Sequence, residues 1–242
     1  MLRVVQKYKY FSKFSYRSLE TQNTCSADSK EALAKKILSI GLINAKEYGF
    51  TFEALEKASQ SIENKESLKD LFPLGELELY LFARTKWLEN ACQVVEMASA
   101  NNQSSKEKIL AALNTHIDDL SKYKDHFPSM LKLSLHPSNI IDTISHFLKW
   151  NDIICMKAGD SSTNLNFYSR RFMLSLQLIF SDLCMFAEKD AELSTTKNIT
   201  NRLNDIFSEI DQMITPLNDK IGKIHQESVD SLINAIKPKD KK

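Results

Sequence analysis

The chain has 242 residues, of which 43% are hydrophobic and 26% are charged, and its formal net charge is +1. This balance excludes an intrinsically disordered chain, in which apolar residues are too few to form a core, and it is typical of one folded domain. No apolar run approaches the roughly 18 residues that a membrane-spanning helix requires, so we expect any contact with a membrane to be peripheral.

The first residues form a basic leader that contains no acidic residue before Glu20. Its basic residues are Arg3, Lys7, Lys9, Lys13 and Arg17. A basic, acid-free segment rich in Ser, Tyr and Phe has the composition of a mitochondrial transit peptide. We therefore expect residues 1–28 to be a transit peptide that is cleaved somewhere before Glu31, and a disordered basic tail is the alternative.

Apolar residues recur three and four positions apart through the rest of the chain, and no segment shows the sustained alternation of a strand. The spacing predicts an all-α fold of about nine or ten helices. The first two predicted helices cover residues 29–48 and a segment that begins at Thr51. The others cover residues 65–72, 76–98, 104–120, 128–135, 139–157, 165–188, 196–214 and 218–236. Because proline interrupts helices, a break at Pro216 is predicted to separate a helical domain, residues 29–216, from a C-terminal helix.

Residues 29–73 resemble the helix-turn-helix end of tetracycline-repressor-like proteins, and the order of the remaining helices suits that fold. Duplex DNA is bound chiefly through contacts from Lys and Arg to its phosphates. In residues 51–73, however, three lysines are outnumbered by five acidic residues, a net charge of −2. We therefore expect a vestigial helix-turn-helix end and no nucleic-acid binding.

The sequence contains no recognisable motif for catalysis or metal binding. Its five glycines are isolated, so no phosphate-binding loop can be written. None of its five histidines has Glu or Asp three residues before it, the spacing that helical di-iron enzymes use. Cys92, Cys155 and Cys184 lie within helical apolar patterns, which favours buried thiols. We predict no catalytic residue, no metal and no cofactor.

Residues 159–171, which read GDSSTNLNFYSRR and are called the signature turn below, combine a helix stop, a polar turn, two aromatic residues and two arginines. Gly159 suits the left-handed residue that ends a helix, and a polar side chain within residues 162–164 can cap the next helix. Phe167 and Tyr168 then fall in the first turn of that helix. This aromatic pair is either tucked under the preceding helix or open to a partner.

The signature turn resembles the signature of the ubiquinone-biosynthesis accessory lipid-binding family, the ninth Coq protein. In that family an Ala-Gly-Asp step leads through Ser-Thr to Asn-Trp-Tyr and a pair of arginines. The matching residues here are Ala158, Gly159, Asp160, Ser162, Thr163, Asn166, Tyr168, Arg170 and Arg171. Phe167 stands where the family usually has tryptophan, and the similarity extends over residues 31–237.

The resemblance implies a non-enzymatic protein that binds polyprenylated quinone precursors on the matrix face of the inner mitochondrial membrane. It also implies that the protein joins the ubiquinone biosynthetic complex and presents this lipid to the demethoxyubiquinone hydroxylase. The positions that match the family's hydroxylase-binding surface are Asp152, Ile154, Phe167 and Tyr168. The two arginines of the signature turn are candidates for structural salt bridges as much as for partner contacts.

The helices predicted at residues 76–98, 109–120, 139–157 and 165–188 either enclose an apolar cavity or pack tightly, and periodicity does not separate the two. The family resemblance favours the cavity. The helix at residues 165–188 is apolar on several sides, so we expect it to be central. The predicted lipid-binding residues are Leu81, Leu88, Leu113, Phe147, Phe172, Leu176 and Ile179.

The C-terminal segment, residues 217–242, is predicted to be an amphipathic helix followed by a basic tail. Such a helix can lie in a lipid interface with its lysines near anionic headgroups. The alternative docks it on the protein body or on a second copy, in a homodimer. The predicted membrane-contact residues are Ile221, Ile224, Leu232 and Ile236.

Two other functions stay open at this level: a tetracycline-repressor-like ligand-sensing transcription factor and a structural helical scaffold with a filled core. A basic recognition helix would favour the transcription factor, and it is missing. Fold alone does not decide function, so identification of bound lipid is what separates a carrier from a scaffold.

Overall fold

The computed structural model describes residues 25–64, 66–190 and 192–236, which form nine α-helices and one short 3₁₀ helix. No strand occurs within those ranges, so the predicted all-α fold of about nine or ten helices is confirmed. Residues 1–24 of the predicted transit peptide and the lysines that follow Ile236 lie outside the described residues.

The nine helices are numbered here in chain order. The first four are α1 (Cys25–Tyr48), α2 (Phe52–Ser61), α3 (Leu68–Leu71) and α4 (Glu76–Ala100). The other five are α5 (Ser105–Ser121), α6 (Phe127–Ser134), α7 (Ile140–Lys157), α8 (Leu165–Ala187) and α9 (Ser194–Ile236). The 3₁₀ helix, Lys124–His126, leads directly into α6.

Local sequence signals place several of the helix ends. Ser104 and Glu107 form the predicted capping box of α5: the Glu107 amide donates to Ser104 Oγ at 3.3 Å, and the Ser104 amide donates to Glu107 Oε2 at 2.7 Å. Gly49 and Gly159 follow α1 and α7 with positive φ angles of 69° and 104°, which glycine adopts without a clash from Cβ. These ends set the corners at which the chain reverses.

Two hydrophobic clusters form the core. The first packs α1 and α2 against α4, and the Phe50 ring lies within it, with ring centroids 5.6 Å from Tyr80, 6.3 Å from Trp87 and 5.2 Å from Tyr123. The second lies among α4, α5, α7 and α8 and includes the fully buried Trp150. Because α4 contributes to both clusters, it joins the first three helices to the rest of the protein.

The predicted third helix, residues 65–72, is in the structure only the single turn Leu68–Leu71. The Asn64 side chain accepts a hydrogen bond from the Glu66 amide at 2.9 Å, a local bond that competes with a helix start there. Phe72, which follows the turn, is buried. One helical turn is a poor recognition element for a DNA groove, and the tetracycline-repressor-like arrangement stays a prediction.

The predicted break at Pro216 is wrong, because α9 runs without interruption from Ser194 to Ile236. A proline inside a helix removes one backbone hydrogen bond but often bends the helix without ending it. Contacts to the signature turn lie on both sides of this proline: Arg170 binds Asp211 before it, and Asn166 binds Asp219 after it. We attribute the continuity of α9 to these contacts on both sides of Pro216.

The three cysteines whose side chains the structure describes differ in their burial. Cys155 is buried, as expected from its apolar pattern, whereas Cys92 and Cys184 are half-buried. Burial raises the pKa of the Cys155 thiol to about 12. The thiolate is the reactive form of cysteine, so Cys155 is a packing residue.

Candidate functional site

The signature turn folds as its sequence predicts. Asn164 is the N-cap of α8, and its side-chain oxygen accepts a hydrogen bond from the Asn166 amide at 2.9 Å. Asp160 organises the residues before the cap, because its Oδ1 accepts from both the amide and the hydroxyl of Ser162, at 3.2 and 2.7 Å. Gly159, Asp160 and Asn164 together turn the chain from α7 into α8.

Both arginines of the signature turn bind Asp160. The Nη1 atoms of Arg170 and Arg171 each lie 2.7 Å from an oxygen of this carboxylate, whose side chain is only 6% exposed. Arg170 also donates from Nε to Asp211 on α9 at 3.0 Å, and Arg171 binds Asp152 on α7 at 2.8 Å. The two arginines therefore make structural salt bridges that tie α7, α8 and α9 together.

The protonation of Asp160 follows from these contacts. Burial alone would raise the pKa of its carboxyl group, but the hydrogen bonds from Ser162, Arg171 and Arg170 outweigh burial and lower that pKa below its ordinary value. Asp160 is therefore a carboxylate at neutral pH, and the charge-assisted hydrogen bonds that it accepts are the strong kind.

The two aromatic residues of the signature turn differ in their exposure to solvent. The guanidinium of Arg171 lies 3.5 Å from the centroid of the Phe167 ring, which is half-buried beneath it. Tyr168 packs edge-on against Phe167, with ring centroids 5.1 Å apart, and is 68% exposed. The sequence left open whether this aromatic pair is covered or exposed. In the structure Phe167 is covered by a neighbour on its own helix, and Tyr168 faces solvent.

The four predicted hydroxylase-binding positions surround this corner but differ in access. Tyr168 is exposed, Phe167 is half-buried, and the Asp152 side chain is 43% exposed while bound to Arg171. Ile154 is fully buried in the second core cluster and offers no surface in this conformation. The assignment of these four residues to a partner stays a prediction.

A second set of contacts joins the signature turn to α9. The side-chain amides of Asn164 and Asn166 donate to Asp219 Oδ1 at 2.8 and 3.0 Å, and Asn218 donates to the Asn166 side chain at 2.8 Å. Asn166 is buried beneath this network. Beyond Asp219, residues 223–228 of α9 are all exposed.

The outward faces of α7 and α8 carry an apolar surface, called the outer strip below. Its members are large apolar residues, each between 44% and 63% exposed. They are Ile141, Ile144 and Leu148 on α7 and Phe172, Ile179, Leu183 and Phe186 on α8. Scattered exposed apolar residues are common in soluble proteins, whereas large contiguous apolar patches often mark interaction sites.

Contacts between α7 and α8 show that the two halves of the outer strip lie side by side. The helices run antiparallel, because Asn151 Nδ2 lies 2.8 Å from Ser175 Oγ, whereas the next residue of α7, Asp152, lies 2.8 Å from Arg171, earlier on α8. Moving back along α7 from Asn151 to Leu148 therefore corresponds to moving forward along α8 from Ser175 to Ile179. One further turn pairs Ile144 with Leu183.

The expectation that α8 is central is only half right. One face of α8 is buried, with Met173, Leu174, Leu178 and Met185 in the interior, while the opposite face carries the outer strip. The signal was present in the sequence as two apolar stripes at helical spacing. A stripe shows that a face is apolar, but only its neighbours decide whether that face is covered.

The seven predicted lipid-binding residues fall into three environments. Leu81 and Leu113 are buried in the core, and Phe172 and Ile179 are exposed in the outer strip. Leu88, Phe147 and Leu176 are half-buried. Two surface depressions of the described residues have volumes of about 360 and 370 Å³, and none of the seven lines either one.

The predicted membrane-contact residues lie on the part of α9 that extends past the signature turn. Ile221 and Ile224 are 53% and 63% exposed, so the protein body does not cover them. The side chains of Leu232 and Ile236 lie outside the described residues. The first half of this segment is therefore not docked on the protein body.

Within residues 25–64, 66–190 and 192–236, no three His, Cys, Asp or Glu side chains are grouped so that they could hold a metal ion. Nor does any helix in those ranges have the length and apolar character needed to cross a bilayer. The arrangement offers an exposed tyrosine, an apolar strip and a projecting helix.

Several known proteins are similar to this chain in sequence. Residues 140–210, which span α7, the signature turn, α8 and the start of α9, match the family model described as COQ9. The chain is 27% identical over 189 residues to the human protein named "Ubiquinone biosynthesis protein COQ9, mitochondrial", a match that covers 75% of this chain and 59% of the human protein. A similarly named rat protein is also 27% identical, with 61% of its length covered.

Two more distant organisms supply further matches. The Schizosaccharomyces pombe protein named "Ubiquinone biosynthesis protein coq9, mitochondrial" is 22% identical over 200 residues, which cover 79% of this chain and 78% of that protein. A Dictyostelium discoideum protein named as probable coq9 is 26% identical over 72% of this chain and 60% of its own length. The chain spans less than two thirds of the human and rat proteins.

Proposed function

We propose that the chain is a non-enzymatic, lipid-binding accessory protein of ubiquinone biosynthesis. The proposal starts from its resemblance in sequence to the COQ9 proteins, which the comparisons confirm. The protein binds polyprenylated quinone precursors at the matrix face of the inner mitochondrial membrane. It presents them to the demethoxyubiquinone hydroxylase, which supplies the oxidative chemistry. The relatives are named as mitochondrial, which supports the mitochondrial part of this location.

The observation that carries the lipid-binding proposal is the outer strip. A polyprenyl tail is nearly insoluble in water, and each CH₂ group that it buries contributes about 0.8 kcal/mol. Paired rows such as Leu148 beside Ile179 and Ile144 beside Leu183 offer a continuous apolar track along two helices. The alternative is a scaffold in which a second copy of the chain covers the same strip.

A charge in the outer strip is expected to expel the lipid. Native extraction followed by lipid mass spectrometry should recover roughly tenfold less prenylated quinone from Ile179→Glu than from the unmodified protein, because a carboxylate is costly to bury against a hydrocarbon tail. Ile43→Glu is the matched control, since Ile43 is an isoleucine of α1 that is 67% exposed and lies outside the strip. Its quinone content should be unchanged.

Two results of this experiment would contradict lipid binding at the strip. Equal quinone content in Ile179→Glu and Ile43→Glu would place the lipid elsewhere. Absence of lipid from every protein, together with a change from dimer to monomer in Ile179→Glu alone, would favour the scaffold. Size-exclusion chromatography of the same samples measures the oligomeric state.

Membrane attachment is proposed for the segment of α9 after Asp219. Its exposed Ile221 and Ile224, with lysines nearby, fit a helix that lies in the lipid interface. The full chain should float with vesicles that contain anionic lipid, and a chain that ends at Leu217 should float much less. An Ile221→Ser, Ile224→Ser variant keeps every charge and should float as little as the shortened chain. Equal flotation of all three proteins would contradict membrane attachment through this segment.

A further inference from the structure

Four polar side chains join the signature turn to α9 in one hydrogen-bonded group, called the latch below. They are Asn164 and Asn166 at the start of α8 and Asn218 and Asp219 on α9. Two donors meet at Asp219 Oδ1, which accepts from Asn164 and Asn166 at 2.8 and 3.0 Å. Asn218 donates from Nδ2 to Asn166 Oδ1 at 2.8 Å. The latch therefore connects the start of α8 directly to the middle of α9.

Asn166 makes the latch specific for one placement of α9. It is 4% exposed, and both ends of its side-chain amide bind α9: the oxygen accepts from Asn218 and the nitrogen donates to Asp219. The two ends of an amide are not interchangeable, and a buried polar group that loses its partner costs free energy. Sliding α9 by one residue would replace both partners of Asn166 with other side chains. The latch therefore fixes the rotation and the register of α9 at this point.

Beyond the latch, α9 leaves the protein body. A surface depression of about 370 Å³ opens between the signature turn and the next turn of α9, and its lining includes Asn164 on one side and Gly222 and Lys223 on the other. Residues 223–228 are all exposed. The latch is therefore the point from which the rest of α9 projects.

The apolar face of this projecting helix points away from the signature turn. Leu217, Ile221 and Ile224 are 58%, 53% and 63% exposed, and their spacing of four and three residues puts them on one face. Because an α-helix has 3.6 residues per turn, each of them lies roughly 140–160° around α9 from Asp219. The apolar face and Asp219 are therefore on nearly opposite sides of the helix.

Tyr168 lies on the far side of α8 from α9. It follows Asn166 by two residues and is therefore about 200° further around α8. Asn166 faces α9, so Tyr168, which is 68% exposed, points away from α9. The apolar face, α9, the latch, α8 and Tyr168 thus follow one another in this order across the protein.

We propose that the latch is a positioning device that holds the signature turn clear of the bilayer while the apolar face of α9 lies in the lipid interface. This inference rests on the membrane attachment in the proposed function and adds the orientation of the bound protein. The width of α9, roughly 10 Å with its side chains, separates the latch from the lipid. Tyr168 therefore stays open to a protein partner on the membrane-bound chain. Asn166 and Asp219 are the positioning residues.

Tryptophan fluorescence on vesicles tests the orientation. The native Trp87 and Trp150 are 4% and 2% exposed, so they give a constant background. Vesicles of anionic lipid, in which a fraction of the lipid carries a nitroxide on its head group, quench tryptophans that lie at the bilayer surface. Ile224→Trp should lose most of its added fluorescence on these vesicles. Tyr168→Trp should keep its added fluorescence.

Removal of the Asp219 carboxylate tests the latch. Asp219→Ala deletes the acceptor that Asn164 and Asn166 share, but it keeps the apolar face of α9. This variant should float with the vesicles as well as the unmodified protein does. Tyr168→Trp in the Asp219→Ala background should become quenched on the nitroxide vesicles, because the protein body is no longer held at one angle to the bilayer.

Two further variants accompany this measurement. Asn218→Ala removes the donor to Asn166 and should also make Tyr168→Trp sensitive to the quencher. Asp230→Ala makes the same change in charge as Asp219→Ala at another exposed position of α9, and it should leave Tyr168→Trp unquenched. Circular dichroism shows that each variant is folded.

The outcomes separate this inference from the proposed function. If Tyr168→Trp with an intact latch is quenched as strongly as Ile224→Trp, the proposed orientation is wrong, although membrane attachment stands. If Tyr168→Trp stays unquenched in the Asp219→Ala background, or if Asp219→Ala no longer floats, the latch is not a positioning device. If the full chain does not float and Ile224→Trp is not quenched, membrane attachment through α9 is wrong, and the inference is wrong with it.

Discussion

Replacement of Asp160 by alanine is expected to lower the free energy of unfolding by about 3 kcal/mol, as expected when one partner of a buried ion pair is removed. The Asp160 carboxylate is nearly buried and accepts hydrogen bonds from Ser162, Arg170 and Arg171. Without it, two guanidinium groups at the corner of α7, α8 and α9 lose their shared partner. Urea denaturation followed by circular dichroism measures the loss.

A salt bridge at the same end of α7 supplies the control. Lys157 binds Glu96, and their side chains are 37% and 62% exposed. Exposed pairs contribute less than about 1 kcal/mol, so Glu96→Ala should change stability little. If Asp160→Ala and Glu96→Ala unfold at the same urea concentration, the network around Asp160 does not hold the three helices together.

Replacement of Tyr168 by alanine is expected to weaken binding of the demethoxyubiquinone hydroxylase by about 2 kcal/mol, roughly thirtyfold in Kd, while leaving helicity intact. Tyr168 is 68% exposed and is held by the edge of the Phe167 ring. An exposed aromatic residue on a rigid corner has little entropy to lose on binding, which makes it a strong anchor. Titration of the purified hydroxylase measures the Kd.

Two further variants serve as controls for the Tyr168→Ala measurement. Tyr168→Phe keeps the ring and removes the hydroxyl, so it separates packing from hydrogen bonding. Ile43→Ala truncates another exposed apolar side chain on α1 and should not change the Kd. An unchanged Kd in Tyr168→Ala would remove this residue from the partner surface, whereas stability should be unaffected in either case because the side chain is not buried.

Helix positions could be predicted where local chemistry is strong. The capping box at Ser104 and Glu107 and the glycine stops at Gly49 and Gly159 act within a few residues, so they are visible in the sequence. Pro216 was misjudged because its effect depends on distant partners. Arg170 and Asp211 are 41 residues apart, and Asn166 and Asp219 are 53 residues apart, yet these contacts lie on either side of the proline, through which α9 continues.

The candidate site, too, could be predicted from the sequence only in part. The signature turn was recognisable from its residue order, but the choice between partner contact and salt bridge for Arg170 and Arg171 required the positions of Asp152 and Asp211 on other helices. The access of Ile154 and Tyr168 likewise depended on packing. Ile154 lies in the core and Tyr168 in solvent, although both are apolar or aromatic residues near the ends of amphipathic helices.

The amino-acid sequence by itself determined the helical class, most helix ends and the fold of the signature turn, because each depends on interactions between residues close along the chain. Only the tertiary structure decided which apolar stripe of α8 is buried and which face forms the outer strip. The physical reason is that burial is a property of neighbouring elements: the same apolar periodicity describes a covered face and an open one.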